Sequence, residues 1–464
     1  MRSHSAALTE GPIARTLVMF TLPILLGSVL QSLNGSVNAI WIGRFLGAEA
    51  LSATANAHAV MFLLLGVVFG LSMASTILVG QHYGARRLAD ARRVVGTSAT
   101  FFAALSVTIC LVGWLLAAPL LHAMNTPADA TPFALAYLRI IFLSVPFMYL
   151  YTFVMAVLRG AGDSKTPFKF LVLSVALDIV LNPPLIFGFG PVPGLGIAGS
   201  ALATVIANAV SLYALVRYLY RRKHELCLHG DDVALFRLDP AILRTLIVKG
   251  VPMGLQMLVI SVSLIVMITL VNRFGTDAVA AYGAAWQLWA YIQLPAFAAG
   301  AAVSSMAAQN VGAGRWDRVD HTARVGLAIS VGLTTVLVAG TVLVDHWLLA
   351  LFLTPGPALG IAEHLNTIGA WQFVLFAVSM VLFGVVRATG AVVAPLVGLT
   401  VALWAVRFPF AELLLPHWGA DAIWWSFTLS AGVAAAWSVG YYRYGNWRSA
   451  KLDSTAPPPE SPAI

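Results

Sequence analysis

Runs of about twenty residues without a single Asp, Glu, Lys or Arg recur along this chain, and no other feature constrains its fold as much. Residues 16–43, 50–85, 94–128, 140–158, 179–216 and 250–272 are free of all four types, as are 278–314, 325–344, 364–386, 388–406 and 422–442. A bilayer core about 30 Å thick is crossed by about 20 apolar residues of α-helix. A helix satisfies its own backbone polar groups, which hydrocarbon cannot do. Of the 464 residues 59% are hydrophobic and only 10% charged, against about a quarter charged in soluble domains. The chain therefore reads as an all-α membrane protein. Twelve transmembrane helices are expected, near 16–42, 51–79, 95–121, 135–157, 168–188, 197–219, 247–271, 278–305, 325–349, 365–386, 393–414 and 422–442. Only the Gly/Pro-rich run Phe187–Gly196 divides the fifth from the sixth. The first run is too long, and too polar at Gln31, Asn34 and Asn38, for a cleaved signal peptide.

A net charge of +8 and a pI near 9.7 would suit a nucleic-acid binder. The charges, however, sit in short loops between apolar runs, which is the membrane pattern. With the amino terminus cytoplasmic, inside segments hold 23 of the 27 Lys and Arg residues, leaving Arg44, Arg139, Arg273 and Arg407 outside or in the outer half. This asymmetry predicts a multi-pass protein of the bacterial inner (plasma) membrane with both termini inside. The blocks Arg86-Arg87, Arg92-Arg93 and Arg221-Arg222-Lys223 then face an anionic leaflet, so no nucleic-acid partner is expected. Cys110 and Cys227 cannot form a disulfide framework.

The two halves match at one constant offset of 228 residues. Gly47 corresponds to Gly275. Gln81, Gly84, Ala85 and Arg87 correspond to Gln309, Gly312, Ala313 and Arg315, and Arg159, Gly162 and Pro167 to Arg387, Gly390 and Pro395. Six spans per half is an even number, so both halves keep one orientation. They form a parallel repeat about an axis along the membrane normal, an architecture that suits alternating access around a midplane cavity. The expected layout is an amino-terminal six-helix lobe (1–220), a cytoplasmic linker (221–245), a carboxy-terminal six-helix lobe (246–445) and a disordered cytoplasmic tail (446–464). A duplicated scaffold without a transport role is the bland alternative.

Several ordered motifs fit one family. They are Pro23, Ile-Trp-Ile-Gly-Arg-Phe-Leu-Gly (40–47), Gly-Gln-His-Tyr-Gly-Ala (80–85), Leu-Arg-Gly-Ala-Gly-Asp (158–163) and Leu-Asn-Pro-Pro-Leu-Ile-Phe-Gly (181–188). Gly-Ile-Ala-Gly-Ser-Ala-Leu-Ala-Thr (196–204), Ala-Gln-Asn-Val-Gly-Ala (308–313) and Val-Val-Arg-Ala-Thr-Gly (385–390) complete the set. Over about residues 15–445 the chain resembles the multidrug and toxic compound extrusion (MATE) family, bacterial type. The resemblance implies an antiporter that exports amphipathic, often cationic drugs or metabolites in exchange for H⁺ or Na⁺. The chain departs from that pattern at the coupling site. Asn38 stands where many bacterial members carry Asp, Asp178 and Asn182 stand in exchanged order on the fifth helix, and the seventh helix has Ile260 and Ser261 in place of a carboxylate.

Charges in hydrocarbon are costly, so those inside spans point to function. Asp178, Arg407 and Glu412 lie well inside the expected spans. Asp178 and Asn182 are four residues apart and share a helix face. The expected ion-coupling residues are Asp178, Asn182, Asn38 and Thr204. Their oxygens are also suitable hard ligands for Na⁺ at Asp178, and no resident metal is expected. Gln31, Asn34, Asn56 and Asn208 are expected to line a cavity together with Tyr282, Trp286, Trp289 and Glu412, since aromatic faces hold organic cations. For each amide the alternative is a hydrogen bond between membrane helices. For the aromatics it is anchoring at the interface, and for His58 on the second span it is ordinary packing. Arg407 reads as structural.

No phosphate loop and no His-Glu-x-x-His is present, so neither ATP drive, a cofactor nor an enzyme is expected. A lipid-linked oligosaccharide flippase would need a ring of deep cations, and only Arg407 is deep. An intramembrane enzyme would need a partnered nucleophile or two close carboxylates, and Asp178 has no evident carboxylate partner. The expected partners are small amphipathic or cationic substrates, H⁺ or Na⁺ and membrane lipids, with the protein a monomer.

Overall fold

A computed structural model describes residues 8–450 except 46, 124–130 and 190–191; the side chains of 43–59, 63, 189, 192, 231 and 233 are likewise outside the description. The described chain is helical apart from a two-residue hairpin, in which Gly188 and Phe189 pair with Pro193 and Val192. The helices are α1 (Ile13–Phe45), α2 (Gly47–Gly84), α3 (Leu88–Ala123), α4 (Thr131–Gly160), α5 (Lys165–Phe187), α6 (Ile197–Arg221), α7 (Pro240–Val271) and α8 (Thr276–Ile292). They continue as α9 (Leu294–Gly312), α10 (Trp316–Leu343), α11 (Asp345–Leu349), α12 (Pro357–Gly369), α13 (Gln372–Ala388), α14 (Val393–Thr400), α15 (Phe408–Trp418) and α16 (Asp421–Tyr444).

Among the described residues ten helices are each long and apolar enough to cross a membrane, and the pair α12–α13, bent by 40°, makes an eleventh span. The expected eighth span, 278–305, is not one helix but α8 and α9, interrupted at Gln293. Pro295 has no N–H to give to the carbonyl four residues back, which weakens the helix at the point where it breaks. The expected tenth span bends after Gly369. There a Cβ would fall 2.5 Å from the Trp289 ring, so only glycine admits that ring at the bend. The eleventh runs α14–α15 through a π-helical turn, Val401–Arg407, just ahead of Pro409, which supplies no N–H to the ladder.

The chain divides into two compact units. One is Leu26–Gly250; the other holds the described residues of Met1–Leu25 and Val251–Ile464. The divisions fall within α1, close to Pro23, and within α7, next to Pro252. In the first unit α4 packs against α2, α3 and α6, and α5 against α6. In the second, α13 packs against α9, α10 and α16. The segment expected as a linker belongs to the first unit and lies along α3. The Thr100 hydroxyl donates to the Phe236 carbonyl (2.7 Å), and a Cβ on Gly96 would meet the Leu235 carbonyl oxygen at 2.2 Å. Of the expected tail, residues 451–464 lie outside the described residues, whereas Trp447 is buried in the second unit.

The 228-residue repeat appears in backbone detail. The turn after α2 places Arg86 at φ 59°, and its counterpart after α9 places Gly314 at φ 70°. The turns after α4 and α13 hold Gly162 at φ 90° and Gly390 at φ 96°. The equivalent helix crossings are equally close. A Cβ on Gly160 would stand 2.6 Å from the Thr76 carbonyl oxygen where α4 meets α2. One on Gly384 would stand 2.7 Å from the Gly300 oxygen where α13 meets α9. Small residues let helices approach in this way where no hydrophobic force drives them together. Large apolar side chains face outward, among them Leu115 (67% exposed) and Val336 (69%), as a hydrocarbon solvent requires.

Candidate functional site

The first unit gathers polar side chains from three helices around one carboxylate. Asp178 lies mid-way along α5 and is 3% exposed. Asn34 and Asn38, one turn apart on α1, both donate their amide N–H groups to its Oδ2, at 3.0 and 2.8 Å. The Thr204 hydroxyl on α6 donates to Oδ1 at 3.0 Å. Asn182, fully buried one turn along α5, donates to the Asn38 Oδ1 (3.1 Å) and to the Asp178 main-chain carbonyl (2.7 Å). Three donors thus meet one acceptor-only group. The Oδ1 atoms of Asn34 and Asn182 are buried and accept no hydrogen bond.

Local sequence explains this convergence. Residues four apart on a helix stack on one face, which aligns Asn34 with Asn38 and Asp178 with Asn182. The Phe187–Gly196 turn returns the chain from α5 to α6. The Leu195 N–H donates to the Leu185 carbonyl, and Gly196, at φ 56°, turns into α6. At Gly199 a Cβ would clash with the Leu185 carbonyl oxygen at 2.1 Å, so α6 presses directly on the end of α5 and brings Thr204 alongside Asp178.

All four residues expected at the coupling site are therefore in one network. Asn34, expected in a cavity lining, joins them, and its i,i+4 relation to Asn38 was the signal that could have found it. Gln31 is exposed on α1 and Asn208 is half-buried on α6. The side chains of Asn56 and His58 lie outside the described residues.

The second unit departs from expectation. Tyr282 (4% exposed) and Trp289 (0%) are packed in its interior. Tyr282 stacks on Trp424 with ring centroids 6.3 Å apart, and the Trp289 indole N–H donates to the Asn366 Oδ1 at 3.0 Å. A fully enclosed ring offers a substrate no face, so these two side chains are core; their position mid-span did not distinguish core from lining. Trp286 is half-buried beside Tyr282. Glu412, within the apolar stretch Val393–Trp418, is exposed and pairs with Arg273 at 3.2 Å. Arg407 is 7% exposed; its Nε–H donates to the Ser430 hydroxyl (2.8 Å), and its guanidinium lies 4.8 Å from the Phe427 ring centre.

The MatE family model matches residues 23–183 and again 252–413, close to the internal offset of 228. The chain belongs to the MatE family. Among its MatE relatives, the probable multidrug resistance protein YoeA of Bacillus subtilis is 36% identical over 93% of each chain. YpnP of the same organism, also named a probable multidrug resistance protein, is 33% identical over 96% of this chain and 98% of that one. The multidrug export protein MepA of Staphylococcus aureus is 22% identical over 92% of each. The solved Vibrio cholerae MATE transporter VcmN superposes with a TM-score of 0.87 at 22% identity, over 94% of this chain and 98% of that one. A multidrug resistance MATE family transporter in an outward-facing conformation gives 0.88 at 21%, over 96% and 98%. At such identities the likeness is one of fold. Family membership, the relatives of 33–36% identity and the apolar spans make this MatE chain a multi-pass membrane transporter, and the fold likeness gives it the twelve-helix, two-lobed architecture.

Proposed function

We propose that the protein exports amphipathic, chiefly cationic organic compounds across the bacterial plasma membrane by alternating access, in exchange for H⁺ or Na⁺ carried at Asp178. Relatives named for multidrug resistance support the substrate class. The observation that carries the coupling site is a buried carboxylate held by three donors from two other helices, Asn34 and Asn38 on α1 and Thr204 on α6. A proton arriving on Asp178 turns one carboxyl oxygen from acceptor into donor. The new O–H needs an acceptor of its own and that oxygen accepts less strongly, so the protonation state of Asp178 on α5 is felt on α1 or α6. The Oδ1 atoms of Asn34 and Asn182 are buried acceptors free to serve a cation, which favours Na⁺ as the second reading. Both termini and the Arg217–Leu246 loop are assigned to the cytoplasm on the charge asymmetry, 23 of 27 basic residues. Reporter fusions at Arg222 and after Lys451 test that orientation.

The deciding experiment is ethidium transport into proteoliposomes with a pH gradient and a Na⁺ gradient imposed separately. One gradient should drive transport by the wild type, and Asp178→Asn should abolish that drive while ethidium binding persists. Gradient-driven transport at the wild-type rate by Asp178→Asn would remove Asp178 from the coupling role.

A further inference from the structure

Several of the basic residues at the expected cytoplasmic ends of the helices are engaged. Arg92 pairs with Asp232 at 3.6 Å and gives its Nε–H to the Glu225 carbonyl at 2.8 Å. Arg93 pairs with Asp239 at 2.8 Å and Arg87 with Asp90 at 3.7 Å. In the second unit Arg315 and Arg318 donate to the carbonyls of Thr9 and Gly11, and Arg448 pairs with Asp320. Arg217 and Arg221 differ. Among the described residues neither has a carboxylate within ion-pair distance nor any other hydrogen-bond partner.

These two arginines are one turn apart on α6 and share a face with Tyr213 and Tyr220. With Val216 they line an open groove of about 420 Å³. Tyr213 is 65% exposed and Tyr220 45%. Tyr220 is fixed in place, because its hydroxyl donates to the Leu228 carbonyl at 2.7 Å and its ring meets the His229 ring at 5.9 Å. Arg222 is turned elsewhere, over the Tyr218 ring at 5.5 Å. Moving down α6 into the span, the same side offers exposed apolar surface at Val210.

We propose that this groove holds the headgroup of an anionic phospholipid from the cytoplasmic leaflet. Two uncompensated guanidinium groups on neighbouring turns match a phosphodiester, which arginine binds through paired N–H groups. Near the end of the span Ile197–Arg221 the tyrosines would stand at headgroup level, where a ring with one polar end is favoured. Val210 and Val216 lie where the glycerol and upper acyl carbons would run. Basic pockets beside membrane helices recognise anionic headgroups in this way. The charge complementarity is what commits the groove to an acidic lipid and not to a zwitterionic one. The proposal depends on neither drug export nor Asp178.

The test is native mass spectrometry of the full-length protein in detergent, titrated with phosphatidylglycerol and, separately, with phosphatidylcholine. The wild type should retain a phosphatidylglycerol adduct in preference to phosphatidylcholine. The double variant Arg217→Gln/Arg221→Gln should weaken that retention about tenfold, and Arg217→Lys/Arg221→Lys less, because lysine keeps the charge and loses only the fork. The control pair Arg222→Gln/Lys223→Gln removes the same charge off the groove and should stay within about twofold of wild type. Equal loss in the control pair would reduce the feature to diffuse positive charge and overturn the site. Undiminished retention in the first double variant, or equal retention of the two lipids by the wild type, would also overturn it. So would displacement of the adduct by inorganic phosphate at the lipid's own concentration, which would make the groove a free-phosphate site. If the glutamine pair does not fold, the lysine pair against the control pair decides the matter by the same ordering.

Discussion

Asn38 gives its side-chain N–H to Asp178 Oδ2 over 2.8 Å and receives the N–H of Asn182 on its own Oδ1 at 3.1 Å, so one amide closes the polar network between α1 and α5. Replacing Asn38 by Ala leaves Asp178 one donor fewer and Asn182 without its acceptor across the helices. Removing one partner of a buried polar pair costs about 1–3 kcal/mol. Asn38→Ala should lower gradient-driven ethidium transport at least about tenfold and shift thermal unfolding downward. Unchanged values of both would show that α1 is not tied to α5 through this amide.

Thr204 reaches the other carboxylate oxygen alone, at 3.0 Å. Thr204→Val keeps the shape and removes the hydroxyl, whereas Thr204→Ser keeps the donor. Transport assayed as a function of driving-ion concentration should need more ion in the valine variant and nearly the wild-type amount in the serine variant. If the two variants behave alike, the hydroxyl has no part in the site.

The close crossings at Gly160 and Gly384 leave no room for a methyl group, with backbone oxygens 2.6 and 2.7 Å from the positions where each Cβ would stand. Overpacking of this kind costs about 1–3 kcal/mol. Gly160→Ala and Gly384→Ala should each lower the melting temperature of the purified protein, since each fills a close crossing of the corresponding helix pair in its half of the repeat. Wild-type melting in either variant would mean that the crossing relaxes freely.

Trp447, beyond the last span, is 1% exposed, stacks on Tyr442 with centroids 5.1 Å apart and accepts the Thr389 hydroxyl on its carbonyl. Truncating a buried Trp costs about 3–5 kcal/mol. Trp447→Ala should therefore lower the yield of folded protein and its thermal stability, while deletion of residues 451–464 should leave both unchanged. The two measurements by fluorescence-detected size exclusion separate a packed anchor from the remainder of the tail.

His224, just past α6, is held below its usual pKa by burial, against the opposing pull of Asp163 and Glu225. Its Nδ1 accepts the Leu226 N–H at 3.2 Å, which requires the unprotonated atom. A depressed folded pKa means that the stabilisation is present above the unfolded value, about 6.5, and is lost as pH falls below it. Hydrogen-exchange protection in residues 224–229, taken relative to the intrinsic exchange rate at each pH, should fall from pH 7 to 5.5, and His224→Gln should flatten that fall. A pH-independent protection factor in the wild type would refute the linkage.

The sequence alone determined what depends on single-helix arithmetic. Charge-free runs set the spans and the membrane environment, and one offset set the repeat, because hydropathy and helix length are local quantities. Helical spacing put Asn34 with Asn38 and Asp178 with Asn182, since both members of each pair sit on one helix. Only tertiary structure decided that these faces meet. Asn38 and Asp178 are 140 residues apart on α1 and α5, and Thr204 reaches the same carboxylate because the Gly196 turn and the bare Gly199 press α6 against α5. The same limit explains the aromatic residues of α8. Sequence spacing put Trp289 and Tyr282 mid-span, but whether a mid-span ring is lining or core depends on what packs against it. Gly369, Asn366 and Trp424 come from other helices and enclose both rings. Which arginines are compensated was equally illegible in the sequence. Arg92 and Arg93 find their acids more than a hundred residues away, whereas Arg217 and Arg221 find none among the described residues.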